Sequence, residues 1–395
     1  MACPPPTLPP RFALLCANEI VAAHPMQEKR ALLILISNEN YLRNWIKAGA
    51  FERLAEQYRL HYVVAKESYW NPAEIERFGV SEYDVVTQLN YRVFLLRRLL
   101  TITMYKHAKK SRAFRIKLEF VRPRWVPLYR LLAAPVIYSL VLAFIKVLLP
   151  NWKELAEIIG RTKPVAVLAP SIAADSATID MCYTARRMRV KSVILINSWD
   201  NLVSKGVLPL PPDRVVVWGQ QGVNHAIRVQ NVPKERVCAL GVPRFDRYFH
   251  TGTEVSPIDI RAFNGLPKDK KIILYAATSM PFDDVAVLAS MDQLISKYPE
   301  YSEYVVLFRP HPEMLRRADE CNIKDMGFQH VHLDQQVADF YNKRFANNGW
   351  SVPSAVNDTE LEYYPALLKS VDAVVCPPTT LGVEGAMNGV PCLMV

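Results

Sequence analysis

Short apolar runs alternate with helix-like stretches along most of this 395-residue chain, and that alternation limits the folds open to it. The run from Ala31 to Ser37 is apolar up to its final serine. Such a strand fits a parallel sheet that helices cover on both faces. Further strands are predicted at 60–65, 83–87, 164–170, 191–197, 214–218, 236–240, 373–376 and 392–395, and two more open the segments 271–278 and 304–312. We therefore predict an α/β protein built on parallel sheets.

Turn-forming residues crowd into residues 251–270, where we predict a linker between two Rossmann-like domains, 29–250 and 271–395. Pairs of such domains bind ligands in a cleft between them. Within the first domain, helical spacing of apolar residues predicts a helix over 41–57. Residues 1–28 are rich in proline and have no basic start, so they are expected to be a loosely ordered extension and not a signal peptide. The chain ends inside a predicted strand, and the second domain is expected to be truncated.

Composition is typical of a globular protein from a reducing compartment. Half of the residues are hydrophobic and 22% are charged. The seven cysteines include no Cys-x-x-Cys pair, which argues against structural zinc and against a disulfide framework. A cytoplasmic location is therefore expected.

Most of the net charge of +10 lies in one segment. Residues 91–130 hold twelve Lys or Arg and one acidic residue, and residues 131–149 are mostly apolar, with Lys146 as their only charged residue. We predict that 91–149 is an inserted basic and apolar helical segment that binds an anionic membrane surface at the inner face of the cell membrane. A membrane span, a buried core helix and a subunit contact remain alternatives for 131–149. Nucleic acid is not expected as a partner, because no DNA- or RNA-binding motif accompanies the charge.

A strand, a hydroxyl-rich turn and a helix follow one another near the end of the chain. Ala373 to Cys376 reads as a buried strand, Pro377 to Thr380 as a turn, and Leu381 to Asn388 as a helix that Thr379 or Thr380 can cap. Free N–H groups at such a helix start favour phosphate. Glu384, one turn further in, could accept hydrogen bonds from a ribose.

This layout resembles the nucleotide-donor half of GT-B glycosyltransferases and of their relatives, the CDP-glycerol glycerophosphotransferases and surface-polysaccharide transferases. The strand and loop 271–278 and the strand that ends in Arg309-Pro-His-Pro312 extend the resemblance over residues 271–395. The resemblance implies a GT-B fold with an acceptor-side domain at 29–250 and a donor domain at 271–395. An ordinary strand–helix connection of a doubly wound sheet would show a similar final turn. The donor-binding residues that we predict are Thr278, Arg309, Thr379, Thr380, Leu381 and Glu384, with His311 at the leaving phosphates.

The predicted acceptor-side domain offers two polar strand ends. Asp175 precedes a helix and is either a general base or an N-cap. The stretch that begins at Asn197 resembles the Trp-Asp-Asn segment of some surface-polysaccharide transferases, and it could equally be a hydrogen-bonded loop. Its candidate residues are Trp199 as an apolar plate, Asp200 as an alternative base, and Asn201 and Lys205 as polar contacts. We rank Asp175 ahead of Asp200, because Asn201 and Lys205 are ready structural partners for Asp200.

The turn Gly241 to Asp246 is of a kind that often closes the first GT-B domain. In this turn Arg244 could pair with Asp246 or reach the cleft.

Several common motifs do not occur. The chain has no Gly-x-Gly-x-x-Gly, no P-loop, no His-Glu-x-x-His and no Asp-x-Asp, so we expect no metal and no cofactor apart from the nucleotide substrate. The predicted function is metal-independent transfer of a sugar from a nucleotide sugar to a membrane-held acceptor in surface polysaccharide or glycolipid assembly. The alternatives are a CDP-glycerol-type polyol-phosphate transferase, a sugar-nucleotide epimerase, for which further acids and histidines are missing, and a non-catalytic membrane-associated scaffold.

Overall fold

The computed structural model describes residues 29–66, 76–249, 258–278, 282–311, 323–338 and 363–395. The chain divides into two compact units, Met1–Pro243 and Arg244–Val395. The predicted extension 1–28 lies outside the described residues, as does part of the predicted linker 251–270. The later half of that linker region contains a short helix, Ile260–Phe263, whose N-cap is Asp259.

The N-terminal unit contains a seven-stranded sheet in the order β3-β2-β1-β4-β5-β6-β7. Every neighbouring pair is parallel, as the apolar runs predict. The strands are β1 (Ala31–Ile36), β2 (Arg59–Ala65), β3 (Tyr83–Val86), β4 (Ala166–Ser171), β5 (Lys191–Ile196), β6 (Arg214–Val217) and β7 (Val237–Ala239).

Helices cover both faces of this sheet. Leu33 and Leu35 of β1 join one core cluster, and Leu32, Ile34 and Ile36 join another. The α-helices of the unit are Glu39–Tyr41, Glu52–Gln57, Asn90–His107, Arg112–Glu119, Val126–Leu132, Pro135–Leu148, Lys153–Thr162, Ser176–Arg187, Asn201–Ser204 and Gln220–Arg228. Burial on both faces explains why β1 tolerates no polar residue.

The prediction of one continuous helix over 41–57 is wrong. A π-helix at Leu42–Ile46 is followed by turns and then by the helix Glu52–Gln57. Gly49 lies between them with a φ of +71°. A residue in this left-handed conformation ends a helix, and glycine adopts it without a steric penalty.

The basic segment is helical, as predicted, and it is built into the N-terminal unit. Leu96, Leu99 and Leu100 of the helix Asn90–His107 belong to the same core as β1. Arg92 is 2% exposed, and its Nε donates to Asp180 at 2.8 Å. This part of the segment is therefore anchored in the core.

No single helix among the described residues is both long and apolar enough to cross a membrane. The helices Pro123–Leu132 and Pro135–Leu148 meet the length and composition criteria only as a pair, and the pair is bent by 92°.

The C-terminal unit repeats the same strand order on a smaller scale, β10-β9-β8-β11-β12, again with parallel pairs. Its strands are β8 (Lys271–Ala276), β9 (Tyr304–Arg309), β10 (Val331–Leu333), β11 (Ala373–Cys376) and β12 (Cys392–Met394). Its α-helices are Asp246–Phe249, Ile260–Phe263, Asp284–Lys297, Tyr363–Ser370 and Thr380–Met387. The predicted architecture of two Rossmann-like parallel-sheet domains is thus confirmed.

Strand order also places the candidate sites. In each sheet the order reverses direction once, between β1 and β4 in the N-terminal unit and between β8 and β11 in the C-terminal unit. Ligands of open parallel sheets bind at the carboxyl ends of the strands beside such a reversal. The candidate ligand-binding edges are therefore the connections that follow β1, β4, β8 and β11.

Candidate functional site

Asp175 lies where the strand order of the N-terminal sheet reverses. Its Oδ1 accepts from the amides of Ala177 at 3.0 Å and Thr178 at 3.5 Å, and its Oδ2 accepts from the hydroxyls of Ser37 and Thr178. Ser37 directly follows β1, so this contact joins the two strand ends at the reversal. Asp175 is thus the N-cap of the helix Ser176–Arg187, one of the two roles that the sequence allows.

Tyr41 completes this cluster. Its hydroxyl accepts from the Ile172 amide at 3.0 Å. Burial, and then the charge of Asp175, raise the pKa of Tyr41 well above its usual value, so its hydroxyl remains protonated. Ala173 beside it has a φ of +63°, a conformation that non-glycine residues rarely adopt and that is concentrated at functional sites.

Asp200 lies one strand further along the same edge, after β5. Its Oδ2 accepts from the Ser204 hydroxyl, and its Oδ1 accepts a long hydrogen bond of 3.4 Å from the side-chain amide of Asn201. These contacts engage fewer of its lone pairs than those of Asp175. Asp200 therefore keeps more acceptor positions outside these contacts than Asp175 does.

The loop around Asp200 contains the other predicted polar contacts. Trp199 is half-buried, and Asn201 is 2% exposed. The Oδ1 atom of Asn201 is buried and has no partner among the described residues. Asn197, at the start of the loop, accepts from Asn44 Nδ2 and from Trp45 Nε1, both at 3.1 Å. Hydrogen bonds therefore hold the start of this loop at Asn197, and the polar side chains of Asp200 and Asn201 lie further along it.

Close packing fixes Lys205 near the strand reversal. A Cβ atom on Gly206 would lie 2.9 Å from Ala174, so only glycine allows this approach to the loop that precedes Asp175. Gln230, which the sequence reading missed, donates to the carbonyls of Leu202 at 2.6 Å and Gly206 at 2.9 Å. A buried glutamine of this kind gives no local sequence signal.

The sequence reading missed two further residues near this loop. The Nζ atom of Lys117 donates to the Lys205 carbonyl at 3.4 Å, and desolvation together with the charge of Lys205 lowers the pKa of Lys117 to about 8 although its side chain reaches solvent. The ring of His225 bonds to the Trp199 backbone, and burial lowers the pKa of His225. The sequence could have suggested His225 as a candidate site residue, because His225 lies in the helix that follows β6, the strand next to β5.

In the C-terminal unit, the strand reversal lies between β8 and β11. Thr278 follows β8, and its hydroxyl donates to the Pro378 carbonyl at 3.3 Å. The helix after β11 begins at Thr380 with Thr379 as N-cap, but the Thr379 side chain makes no capping hydrogen bond. Its hydroxyl is therefore not engaged in capping. Leu381 is buried in the core below the turn.

Glu384 is buried within this helix, and side chains of the same unit bond its carboxylate. Arg244 Nη2 donates to Oε1 at 2.7 Å, and the Tyr248 hydroxyl donates to Oε2 at 2.8 Å. Arg244 thus pairs with an acid that lies far away in sequence. These contacts explain why residues from 244 onward belong to the C-terminal unit.

Arg309 is more enclosed than its predicted phosphate role requires. It is 6% exposed, bonds Asp334 through Nη1, and donates from Nη2 to the Tyr364 hydroxyl at 3.1 Å. Its guanidinium also lies over the rings of Tyr363 and Tyr364, at 5.3 and 4.8 Å. Burial opposes its charge, yet Tyr364 and Asp334 hold the pKa of Arg309 above its ordinary value. Arg309 is therefore an internal cation that fixes the end of β9.

His311 lies beyond the end of β9 and is half-buried. The Ala277 amide donates to the Arg309 carbonyl at 3.1 Å, so the loops that carry Thr278 and His311 leave neighbouring strands at one edge. Among the described residues, no group of three or more His, Cys, Asp or Glu side chains could hold a metal ion.

Comparison with known proteins gives a family match over part of the chain and a similar fold over most of it. Residues 220–342 match the family described as CDP-Glycerol:Poly(glycerophosphate) glycerophosphotransferase, which is less than half of the chain. A search of curated protein sequences finds no match.

Solved structures of similar architecture cover most of the chain. A Listeria monocytogenes protein assigned as a UDP-N-acetylglucosamine 2-epimerase aligns with a TM-score of 0.51 at 10% identity, over 93% of this chain and 79% of that one. The glycotransferase of kitacinnamycin aligns with a TM-score of 0.48 at 13% identity, over 93% and 81%. The wall teichoic acid polymerase TagF aligns at 0.41 and 13%, over 92% and 69%.

Identities this low support a shared fold and not a shared activity. The resemblance predicted from the sequence is confirmed: the chain has the two-sheet GT-B fold, and its residues 220–342 are similar to the CDP-glycerol glycerophosphotransferases.

Proposed function

We propose that this chain transfers a group from a nucleotide-activated donor to a membrane-held acceptor in the assembly of a surface polymer. The observation that carries the proposal is the connection after β11, where a helix begins at Thr380 and Glu384 lies one turn inside it. The N–H groups of that helix start suit phosphate. The match of residues 220–342 to a nucleotide-dependent transferase family supports the same reading.

Two donor classes suit this site. The first is a nucleotide sugar, from which the acceptor oxygen takes the sugar and releases a nucleoside diphosphate. The second is a CDP-linked polyol: the acceptor oxygen attacks the phosphorus next to the polyol, takes the whole polyol-phosphoryl group and releases CMP; the family match favours this second class. In both reactions negative charge develops on the leaving nucleotide, where the helix start and His311 could stabilise it. Asp200 could take the proton of the acceptor hydroxyl.

Thermal-shift measurements with CDP-glycerol and with UDP-, GDP- and CDP-linked sugars test this proposal. A ligand at about 100 times its Kd adds about 2.7 kcal/mol to the free energy of unfolding. The largest shift identifies the donor class. No shift with any nucleotide would contradict the proposal and favour a non-catalytic scaffold.

We predict that Glu384→Ala weakens binding of the identified nucleotide by about 1.5–3 kcal/mol, the range for hydrogen bonds to a charged group. The reason is the loss of the proposed ribose contact. Calorimetric titration of the folded variant measures the effect, and Glu303→Ala, at an exposed acid of the same unit, is the control. Equal affinities of Glu384→Ala and the wild type would remove Glu384 from the binding site.

An exposed apolar stripe supports the membrane part of the proposal. Val136, Leu140, Phe144 and Val147 are 76%, 65%, 63% and 79% exposed, and their spacing places them on one face of the helix Pro135–Leu148. Basic side chains of the same segment also reach solvent: Arg97, Arg98, Lys106, Lys109, Lys110, Arg112, Arg115, Lys117, Arg122, Arg124 and Arg130. Apolar and basic surfaces in one segment suit an anionic membrane interface.

We predict that the protein sediments with anionic vesicles and that binding weakens with salt. Arg122→Gln and Arg124→Gln should each weaken binding by about 1 kcal/mol, the usual contribution of a basic residue near an anionic leaflet. Lys297→Gln, an exposed site on the other unit, should have no effect. Equal binding to neutral and anionic vesicles would contradict the electrostatic part of the claim.

A further inference from the structure

Two side chains at the start of the C-terminal unit hold the carboxylate of Glu384 at both oxygens. Arg244 donates to one oxygen at 2.7 Å and Tyr248 to the other at 2.8 Å. The Glu384 and Arg244 side chains are only 8% and 14% exposed. Burial and the charge of Glu384 raise the pKa of Tyr248, so its hydroxyl is present as a donor.

These contacts do not use every acceptor position of the carboxylate. A carboxylate has about four acceptor positions, and each of the two contacts uses one of them. The backbone beneath is bonded as well, because the Glu384 carbonyl accepts from the Asn388 side-chain amide at 2.8 Å. A side chain that is held at both oxygens and at its backbone presents its remaining lone pairs in a fixed direction.

The surroundings of Tyr248 and Arg244 are also ordered. Tyr248 packs against the core that contains β8 and β11, and its ring lies 5.9 Å from that of Phe245. The guanidinium of Arg244 lies 5.0 Å from the Phe245 ring. The two donors are therefore held by packing as well as by hydrogen bonds.

We infer that Arg244 and Tyr248 are positioning residues, which aim the Glu384 carboxylate at the ribose hydroxyls of the donor and make recognition specific for ribonucleotides. The inference rests on the proposed function, in which Glu384 contacts the donor. A site that is built to bond a hydroxyl rejects an analogue without it, because its own polar group is then left unpaired. The orientation of the Glu384 carboxylate matters because its remaining lone pairs must accept hydrogen bonds from two hydroxyls of one ribose ring.

Calorimetric titration of a ribonucleotide and its 2′,3′-dideoxy form tests this inference. CDP, UDP and GDP are titrated first into the wild type, and the tightest binder is then compared with its dideoxy form. The wild type is expected to prefer the ribonucleotide by about tenfold or more. Glu384→Gln, Arg244→Lys and Tyr248→Phe should each reduce this preference several-fold, whereas Tyr301→Phe, at an exposed tyrosine, should keep it.

The ratio of the affinities for the ribonucleotide and its dideoxy form distinguishes a role in orienting Glu384 from a role in stabilising the fold. A purely structural role would weaken both nucleotides equally and leave the preference intact, and that result in Tyr248→Phe would overturn the inference while nucleotide binding stands. Equal affinities of the wild type for both forms would overturn it in the same way. If the folded wild type binds none of the three nucleotides, the proposed function itself fails. Should Arg244→Lys not fold, Tyr248→Phe, which preserves the ring, decides.

Discussion

Asp200→Asn is expected to lower kcat for group transfer by about 10²–10⁴, the usual loss when a general base is removed. Asp200 lies at the carboxyl end of β5, and one of its two hydrogen bonds is long, at 3.4 Å to Asn201. Its carboxylate can therefore still accept a proton from an acceptor hydroxyl. Asparagine has nearly the same shape but does not take up that proton. Steady-state kinetics with the donor identified by the nucleotide screen measures the effect.

Asp175→Asn is the matched comparison for this experiment. Asparagine caps helices about as well as aspartate, so the helix Ser176–Arg187 should persist. We expect kcat to change only a few-fold, because Asp175 is engaged by two amides and two hydroxyls. His311→Ala should lower kcat by about 10²–10³ if it stabilises the leaving phosphate. A large loss in Asp175→Asn alone would move the base to Asp175, and near-wild-type kcat in all three variants would remove the whole assignment.

The second large effect concerns stability. Asp180→Ala is expected to lower the free energy of unfolding of the N-terminal unit by about 3–5 kcal/mol, because it leaves the charge of Arg92 buried without its partner. Asp180 is 0% and Arg92 is 2% exposed, and the two side chains form a bidentate pair. Arg92 also donates to the Pro150 carbonyl at 2.8 Å, so the pair joins the basic helix to the segment that follows the apolar helix.

Urea unfolding followed by tryptophan fluorescence measures this loss. Six of the seven tryptophans precede residue 244, so the signal reports mainly on the N-terminal unit. Glu303→Gln is the control, since its pair with Lys271 is about half exposed and surface pairs contribute about 0–1 kcal/mol. If Asp180→Ala lowers the free energy of unfolding by less than about 1 kcal/mol, other groups stabilise the buried charge of Arg92 and the predicted role of the pair is wrong.

Local pattern was enough to predict the strands. The strands predicted at 31–37 and 191–197 end within one residue of the observed strands Ala31–Ile36 and Lys191–Ile196, because burial on both faces of a parallel sheet leaves a largely apolar signal. The same logic correctly placed Asp175, Asp200, Thr278 and His311 after strand ends. Parallel strands share one carboxyl edge, so residues that follow them meet there whatever the details of packing.

Pairing between distant side chains was not predictable in the same way. Arg309 was predicted to bind phosphate, but the fold places Asp334 and Tyr364 around it. Glu384 was predicted to accept hydrogen bonds from a ribose, but its contacts with Arg244 and Tyr248, one at each oxygen, were not predicted. No local pattern connects residues that lie 25 to 140 positions apart.

The sequence by itself therefore determined the fold class, the strand edges and the residue types that gather at them, because periodicity and burial act over a few residues. Tertiary structure alone decided which polar groups at those edges are already satisfied. That outcome depends on where helices such as Thr380–Met387 and Asp246–Phe249 come to rest against the sheet, to within a hydrogen-bond length. For this protein, that difference separates Asp200, which retains capacity for a proton, from Arg309, whose charge is neutralised inside the domain.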